Sequence, residues 1–513
     1  MGSRATSDEV LTLAATAEQE LPEHVPFSPW GVRVDEIRVS PSYSELGGIG
    51  VAAGVTALPY ESSLYAEKAR LVWAGLLAMW GPSSALYSCP VAMTDGAART
   101  LLDHGGVEDL EIVAKLTSRD PAVAWTSGQW MTETTGGSDL SQTASVARVD
   151  ATGNWHVYGT KWFTSSVTSE TALTLARPEG SGEGSAALAL FRVDRRFANG
   201  RPNAIEIRRL KDKLGTRALP TAELELRGAL AHPVGTPNEG GGLKKMATML
   251  NVTRLHNAIG SAGALGRGLA WACSYARVRR VFGTPLISMP AHRATLADLA
   301  VDYAAALELA LRCAELLGRI EHRVADRSEA LILRSLTPVA KLATAKWAVA
   351  GVAEAMESIG GVGYCEDSTI PALVRNTHVM PIWEGTTNVL ALHFMKSIWE
   401  GGRLDALMQD ASACAEEATS EYVAEPVAAV KTAIETVKQK ADELAADRDA
   451  AEAFARALAL GVANTYACAR LCLQGSQEAA HGNLRTAAIA VRLAARGLLP
   501  RGPATDAATI LGD

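Results

Sequence analysis

The sequence predicts a mainly α protein with a central β-domain and an additional helical block on its C-terminal side, and three observations carry that reading. Apolar residues recur at helical spacing from about Tyr60 to Asp120, beginning YAEKARLVWAGLLAMW and continuing through MTDGAARTLLDHG. Between Asp120-Pro121 and His232-Pro233 the chain changes to short β-rich or alternating stretches: TASVARVD, NWHVYGTKWFTSS, SAALALFRV, AIEIRRL and TAELELRG, parted by Gly, Pro and Asn turns. After Pro237-Asn238-Glu239-Gly240-Gly241-Gly242 the helical period returns.

Helices are expected from about Leu243 to Phe282, Thr295 to Arg323 and Pro338 to Ser358. The last stops at Gly360-Gly361, a C-terminal glycine signal. From about Ala411 the chain is alanine-rich. Val423, Val427, Val430, Ile434, Val437, Ala441 and Leu444 recur every three or four residues with charges between them, which predicts one apolar helix face packed on the body of the protein. No repeat of solenoid period is present. The expected regions are 1–120, helical; 121–236, β; 237–400, a helical bundle; and 401–513, an additional helical domain.

Composition narrows the function. The 513 residues exceed the roughly 250 to 300 at which single cores stop growing. With 48% hydrophobic and 20% charged residues the chain can bury large cores. A net charge of -7 offers nucleic acid and anionic lipid no overall attraction. The seven cysteines form no C-x-x-C pair and have no histidine at metal-ligand spacing, so no metal is expected and all seven are read as reduced core thiols. Cys468 and Cys472, four apart in an apolar stretch, fit two buried small hydrophobes better than a redox pair. The first residues lack an apolar signal core and are too acidic for an organelle transit peptide. No charge-free run is long enough to cross a bilayer, and the default location is cytoplasmic.

Three segments could carry chemistry. Trp130-Met131-Thr132-Glu133-Thr134-Thr135-Gly136-Gly137-Ser138-Asp139 is a polar turn at the entrance to the β-domain. Its small residues admit a ligand to the backbone, although a plain β-turn would look the same. Gly159-Thr160-Lys161-Trp162-Phe163-Thr164-Ser165-Ser166 alternates aromatics with hydroxyls in an expected strand. Such aromatics serve a core or the wall of a planar cofactor. Gly360-Gly361-Val362-Gly363-Tyr364 lacks the strand, glycine loop, helix order of a dinucleotide fingerprint. Downstream, Glu384 lies between Trp383 and Gly385 after Met380-Pro381-Ile382. It reads equally as a partly desolvated base with a raised pKa and as an exposed loop glutamate.

Taken together and in order, these segments resemble the acyl-CoA dehydrogenase flavoprotein family over nearly the whole chain. The T-E-x-x-x-G-S-D turn supplies Thr132, Glu133, Gly137, Ser138 and Asp139, and the G-x-K-x-[FW]-x-[ST] strand supplies Phe163 and Ser165. R-x-x-F-G matches from Arg279 to Phe282-Gly283, and E-G-T matches Glu384-Gly385-Thr386. The resemblance implies a helical N-terminal domain, a β-barrel-like middle domain and a helical bundle, with FAD as cofactor. It places Met131 and Thr132 at the flavin pyrimidine edge, Ser138 beside the phosphates or substrate, Phe163 against the isoalloxazine and Ser165 near flavin N5. Thr164, Gly137, Phe282, Gly360, Gly361, Thr386 and Asn388 join the implied cofactor contacts.

Arg254 and Arg279 are separated by geometry: on one continuous helix, 25 residues at about 1.5 Å each hold them roughly 37 Å apart, so they serve different sites. The resemblance puts Arg254 beside the catalytic glutamate and Arg279 on FAD held by a neighbouring subunit, which implies a homodimer or homotetramer. Family members carry the catalytic carboxylate before the E-G-T glycine or on the helix near Arg254. Asn251-Val252-Thr253-Arg254-Leu255-His256-Asn257 has no Asp or Glu, which leaves Glu384.

The implied reaction is α,β-dehydrogenation of an acyl-CoA or related acyl thioester to a trans-2-enoyl thioester. Glu384 is the base, flavin N5 the hydride acceptor, and an electron-transfer flavoprotein the next acceptor. Departures from the common pattern include Pro290 and Glu357 where glutamines are usual, and Thr134-Thr135 in the turn. With the Met93-Thr94-Asp95-Gly96-Ala97 run and the extra C-terminal block, they point to the AidB-like branch. Two other readings stand beside the enzyme: a flavoprotein that binds or sequesters acyl ligands with little turnover, and a DNA-associated protective flavoprotein. The second is disfavoured. Residues 403–513 hold 11 Lys plus Arg against 15 Asp plus Glu, a net of -4, and only Arg485, Arg492, Arg496 and Arg501 could form a small basic patch.

Overall fold

The computed structural model describes all residues except 62–64, 501 and 503–513. The chain forms two compact units, residues 1–64 with 79–256 and residues 65–78 with 257–513.

The first unit opens with helices Asp8–Gln19 and Pro41–Ala53 and continues through Ser88–His104 and Leu110–Leu116. A hairpin of β1 (Glu23–Phe27) and β2 (Arg33–Arg38) lies between the first two helices. It escapes the sequence reading because EHVPF and RVDEIR carry charges and no clean alternation. Side chains tie it to the β-domain: Arg33 Nη2 donates to Ile207 O at 2.7 Å, and the Ile207 N–H donates to Asp35 Oδ2 at 3.1 Å.

The β-domain is built from β3 (Ser127–Trp130), β4 (Val146–Val149), β5 (Trp155–Ser165), β6 (Thr171–Pro178), β7 (Ala189–Asp194), β8 (Ile205–Leu210) and β9 (Thr221–Pro233). The hydrogen-bonded order is β3-β6-β4-β5-β9-β7, with β8 on β9. Because β7 also pairs with β6, the sheet closes into a barrel. Trp130, Val157, Phe191, Leu224 and Leu226 fill its interior.

In the second unit the helices are Pro290–Glu321, Arg327–Ile359, Ile370–Thr377, Thr387–Ile398, Arg403–Glu417, Ala424–Leu444, Arg448–Ala479 and Arg485–Ala495, with the later turns of Gly242–Val278. Two boundaries differ from expectation. The helix expected at Pro338 starts at Arg327, where Asp326 and Glu329 form a reciprocal capping box. Pro338 is thus held inside a helix, in a stretch from Ser335 to Ala345 that is buried throughout. The helix expected to reach Phe282 stops at Val278. Strands β10 (Arg280–Val281) and β11 (Thr284–Pro285) then form a tight hairpin, with Phe282 (φ 49°) and Gly283 (φ 84°) at its turn.

The cysteine reading needs one correction. Cys89, Cys313, Cys414, Cys468 and Cys472 are buried, but Cys273 is half-buried and Cys365 is exposed, because it follows the short surface helix Gly361–Tyr364.

Buried charge organises this unit. Arg70, fully buried, meets Glu321 through two hydrogen bonds of 2.8 Å, which explains why residues 65–78 pack with the bundle. The C-terminal block buries Val430, Ile434, Val437, Ala441 and Leu444 along one helix face, and Asp410 accepts from both Arg312 (2.9 Å) and Tyr466. Arg492 and Arg496, half of the small basic patch, pair with Asp298, and Arg496 also with Asp302; Arg501 lies outside the described residues.

Two outcomes follow. Asp410→Ala removes one of two carboxylates that answer a largely buried guanidinium, Glu315 being the other, and should cost about 1 to 3 kcal/mol, read as a lower denaturant midpoint. The Asp298 carboxyl is held down to about 2, first by the hydrogen bond from Arg492 and then by Arg496. A depressed carboxyl stabilises above its ordinary value near 3.8, so docking of helix Arg485–Ala495 should persist at neutral pH and weaken as pH falls toward 2. Amide exchange of that helix across the acid range checks the direction; protection that rises with acid would contradict it.

Candidate active site

In the first unit, the polar turn and strand β5 are joined through a buried ion pair. Lys161 is wholly buried and donates to Glu133 Oε1 at 2.8 Å and Leu175 O at 2.9 Å. Glu133 also accepts from Ser145 Oγ at 2.6 Å and from the Ala144 N–H at 2.7 Å. Burial pushes its carboxyl up, but the Lys161 ammonium and these hydrogen bonds outweigh burial and hold it below the usual range. The Trp162 N–H donates to Thr132 O at 2.9 Å. Gly159 (φ 146°) lets β5 approach so closely that a Cβ there would stand 2.3 Å from Ser145 Oγ.

Further along the turn, Gly137, Ser138 and Asp139 are exposed, and Met131 and Thr132 are half-buried. A Cβ at Gly137 would meet Thr132 Oγ1 at 2.6 Å. Asp139 accepts from the Ser141 N–H at 3.0 Å, so its carboxylate caps a short 3-10 turn.

The register of β5 against β9 shifts between Lys161 and Thr164. That irregularity turns Phe163 outward, 57% exposed, while Lys161 and Thr164 on either side stay buried. Thr164 Oγ1 is committed inward, donating to Ala222 O at 2.5 Å. Ser165 Oγ lies 3.0 Å from Thr221 Oγ1. Lys211 Nζ stands 3.7 Å from the Trp162 ring centroid and 4.8 Å from that of Phe163, and bonds Glu223 at 2.6 Å.

Arg254 is almost fully buried, and two residues on His256 Nε2 meets Asp95 Oδ2 at 2.8 Å. Tyr60 Oη donates to Asp95 Oδ1 at 2.6 Å and lies 2.9 Å from its carbonyl oxygen. Sequence reasoning noted the Met93-Thr94-Asp95-Gly96-Ala97 run without a role. Thr94 Oγ1 accepts from the Ser127 N–H at 3.0 Å, and Gly96 faces Met249, whose Cγ would lie 2.8 Å from an added Cβ. The available signal was an aspartate on the apolar side of a helical period.

In the second unit Glu384 is half-buried and adopts φ 60°, followed by Gly385 at φ 100°. Left-handed backbone costs a side-chain-bearing residue about 1 kcal/mol or more. Two buried side chains hold this segment: Lys341 Nζ donates to Gly385 O at 2.7 Å, and Asn257 Nδ2 donates to Met380 O at 3.1 Å. Neither was singled out in the sequence. Thr386 and Asn388 are exposed at the start of helix Thr387–Ile398. Gly360 (φ 75°) and Gly361 are exposed where helix Arg327–Ile359 ends, and Arg279 and Phe282 are exposed at the β10–β11 hairpin, Phe282 at 98%.

Comparison with known proteins gives these motifs a common origin. Residues 128–229 match the acyl-CoA dehydrogenase middle domain, 240–399 the acyl-CoA dehydrogenase C-terminal domain, and 1–120 the N-terminal domain of the adaptive response protein AidB. The putative acyl-CoA dehydrogenase AidB of Escherichia coli (strain K12) is 33% identical over 77% of this chain and 72% of its own length. The chain belongs to the acyl-CoA dehydrogenase family. Members are FAD-dependent oxidoreductases. Acyl-CoA dehydrogenase family member 11 of Caenorhabditis elegans is 43% identical over 77% of this chain, and the match spans 65% of the worm protein. A crystal structure of Caenorhabditis elegans ACDH-11 in complex with C11-CoA has a TM-score of 0.92 and 37% identity, covering 97% of this chain and 86% of that one.

The Glu133–Lys161 pair yields a stability prediction. Glu133→Ala leaves the Lys161 ammonium buried without its carboxylate and should cost about 3 to 5 kcal/mol. Combining Glu133→Ala with Lys161→Met removes the stranded charge and should recover part of that loss; a double variant no better than the single one in thermal unfolding would refute the pairing argument.

Proposed function

We propose that the protein is an FAD-dependent acyl thioester dehydrogenase that converts an acyl-CoA to the trans-2-enoyl-CoA, with Glu384 as base. The observation that supports this most is the setting of Glu384, a half-buried carboxylate on left-handed backbone whose flanking carbonyls are held by buried Lys341 and Asn257. A strained residue held by its surroundings is characteristic of a working site.

The residues present fit a flavin. Phe163 offers an aromatic face more than half exposed, Gly137 leaves the turn open where a Cβ would collide with Thr132, and Thr132 and Ser165 bring hydroxyls to the same two segments. We assign Met131, Thr132, Gly137, Ser138, Phe163, the backbone of Thr164, and Ser165 to FAD. Gly360, Gly361, Thr386 and Asn388 belong to the same assignment, as do Arg279 and Phe282 for FAD held by a second copy of the chain. FAD, when bound, supplies the acceptor for the electron pair leaving the β-carbon.

The chain's own work is to acidify and remove the α-proton. The Glu384 backbone N–H is suited to polarise the thioester carbonyl, which lowers the cost of α-carbanion character. The Glu384 carboxylate takes the proton, and Arg254 orients the ligand. An electron-transfer flavoprotein re-oxidises the protein, which works as a homodimer or homotetramer in the cytoplasm. The C11-CoA bound by the worm relative supports a fatty acyl-CoA as ligand class.

Anaerobic addition of acyl-CoAs of graded chain length to the yellow protein tests the reading. Turnover bleaches the flavin absorbance within the catalytic time, whereas a spectral shift without bleaching means a protein that only binds acyl ligands. Glu384→Gln should retain flavin and acyl-CoA binding yet reduce roughly 10²- to 10⁴-fold more slowly, the range of general-base contributions. Bleaching of that variant at the parent rate would overturn the base assignment.

A further inference from the structure

A lysine ammonium with no exposure to water is unusual, and Lys341 is such a group, set in the middle of helix Arg327–Ile359. Its Nζ donates to Gly385 O at 2.7 Å, the carbonyl immediately after Glu384. The Asn257 amide, also buried, donates to Met380 O at 3.1 Å, on the other side of the same residue. Asn257 is itself fixed, because Ser261 Oγ donates to its Oδ1 at 3.3 Å. Between these two anchored carbonyls lies the left-handed pair Glu384 (φ 60°) and Gly385 (φ 100°).

We propose that Lys341 is a positioning residue for Glu384, acting with Asn257 as a two-point clamp that keeps the turn left-handed and fixes where the carboxylate points. The inference rests on Glu384 being the base. A non-glycine residue leaves left-handed backbone readily unless its neighbours over-determine it. A charge-assisted hydrogen bond to the next carbonyl oxygen does so directly, since peptide rotation that relieved Glu384 would swing Gly385 O away from Nζ. Proton transfer needs the carboxylate within hydrogen-bond reach of the α-carbon, and misplacement by about 1 Å can cost roughly 100-fold. Lys341 touches the Gly385–Thr386 peptide, one residue beyond the base, and acts through the Glu384-Gly385 turn.

The experiment uses the flavin-loaded full chain as Lys341→Met, Lys341→Arg and Asn257→Ala. Lys341→Met should retain flavin and bind a non-reducible acyl-CoA thioether within about threefold of the parent, while flavin reduction at saturating substrate slows by about 100-fold. Lys341→Arg, which keeps a donor, should recover part of that rate. The second readout is amide hydrogen exchange of the peptide spanning residues 380–388, expected to quicken in Lys341→Met with the rest of helix Arg327–Ile359 unchanged. Reduction at the parent rate, or unchanged exchange at 380–388, overturns the proposal. If Lys341→Met does not fold, Asn257→Ala and Lys341→Arg are held to the same two readouts, with smaller slowing expected and parent behaviour in both again overturning it. If the parent itself fails to bleach, the dehydrogenase reading falls, and the exchange arm still decides whether Lys341 holds the turn.

Discussion

An ammonium group taken wholly out of water must be met by hydrogen-bond acceptors, and Lys161 imposes that requirement on the first unit. Glu133 meets it, and in doing so draws the glycine-rich turn onto β5; Ser145 and the Ala144 N–H satisfy the carboxylate's remaining lone pairs. Replacing such a pair by apolar residues would be neutral or stabilising in many proteins, so what the pair supplies beyond stability is a fixed link between the turn and β5. With Glu133 anchored, Met131 and Thr132 sit on one side of the fixed point and the exposed Gly137-Ser138 peptide on the other. The bulge at Trp162-Phe163 then converts the same anchoring into an outward aromatic, because β5 cannot keep Lys161 and Thr164 both inward over that interval without an extra residue.

The second unit uses a buried lysine differently. Among the contacts of Lys341 is a backbone carbonyl, Gly385 O, and that hydrogen bond stabilises a conformation of the chain. The cost of a left-handed glutamate is small beside that of desolvating an ammonium, so holding Glu384 cannot by itself account for a lysine there on grounds of stability. The positional role proposed for Lys341 would account for it, since its long stem carries a donor from a helix interior to the Glu384-Gly385 turn.

Legibility in the sequence follows the range of the interaction. Periodicity is local, and the long helices, the closing strand β9 and the apolar face from Val430 to Leu444 could be read from it. Boundaries set by one residue were harder: Pro338 read as a helix start because proline is favoured there, whereas the capping box at Asp326 and Glu329 overrides it. The hairpin Glu23–Arg38 was invisible because side chains far away in sequence hold it, Asp35 and Arg33 against Ile207. At the candidate site, motif spacing singled out segments but not the contacts within them. That Glu133 faces Lys161, that Thr164 turns inward while Phe163 turns outward, and that Asn257 and Lys341 flank Glu384 are all tertiary facts. Cys365 shows the converse: a residue type that is usually buried is exposed because the short helix before it lies at the surface.

The C-terminal block shows why counting charge and locating its use are separate steps. Its net charge of -4 already argues against a polyanion-binding face. The arrangement argues further, because several of the basic side chains are occupied within the chain: Arg403 by Glu400, Lys440 by Glu443, Arg448 by Glu452, Arg470 by Glu308, and Arg492 with Arg496 by Asp298. A phosphate backbone would have to compete with each of these carboxylates before gaining any counterion release, and the Asp298 pairs would be surrendered together with the docking of helix Arg485–Ala495. Arg470, Arg492 and Arg496 tie this block to helix Pro290–Glu321, an architectural use of charge.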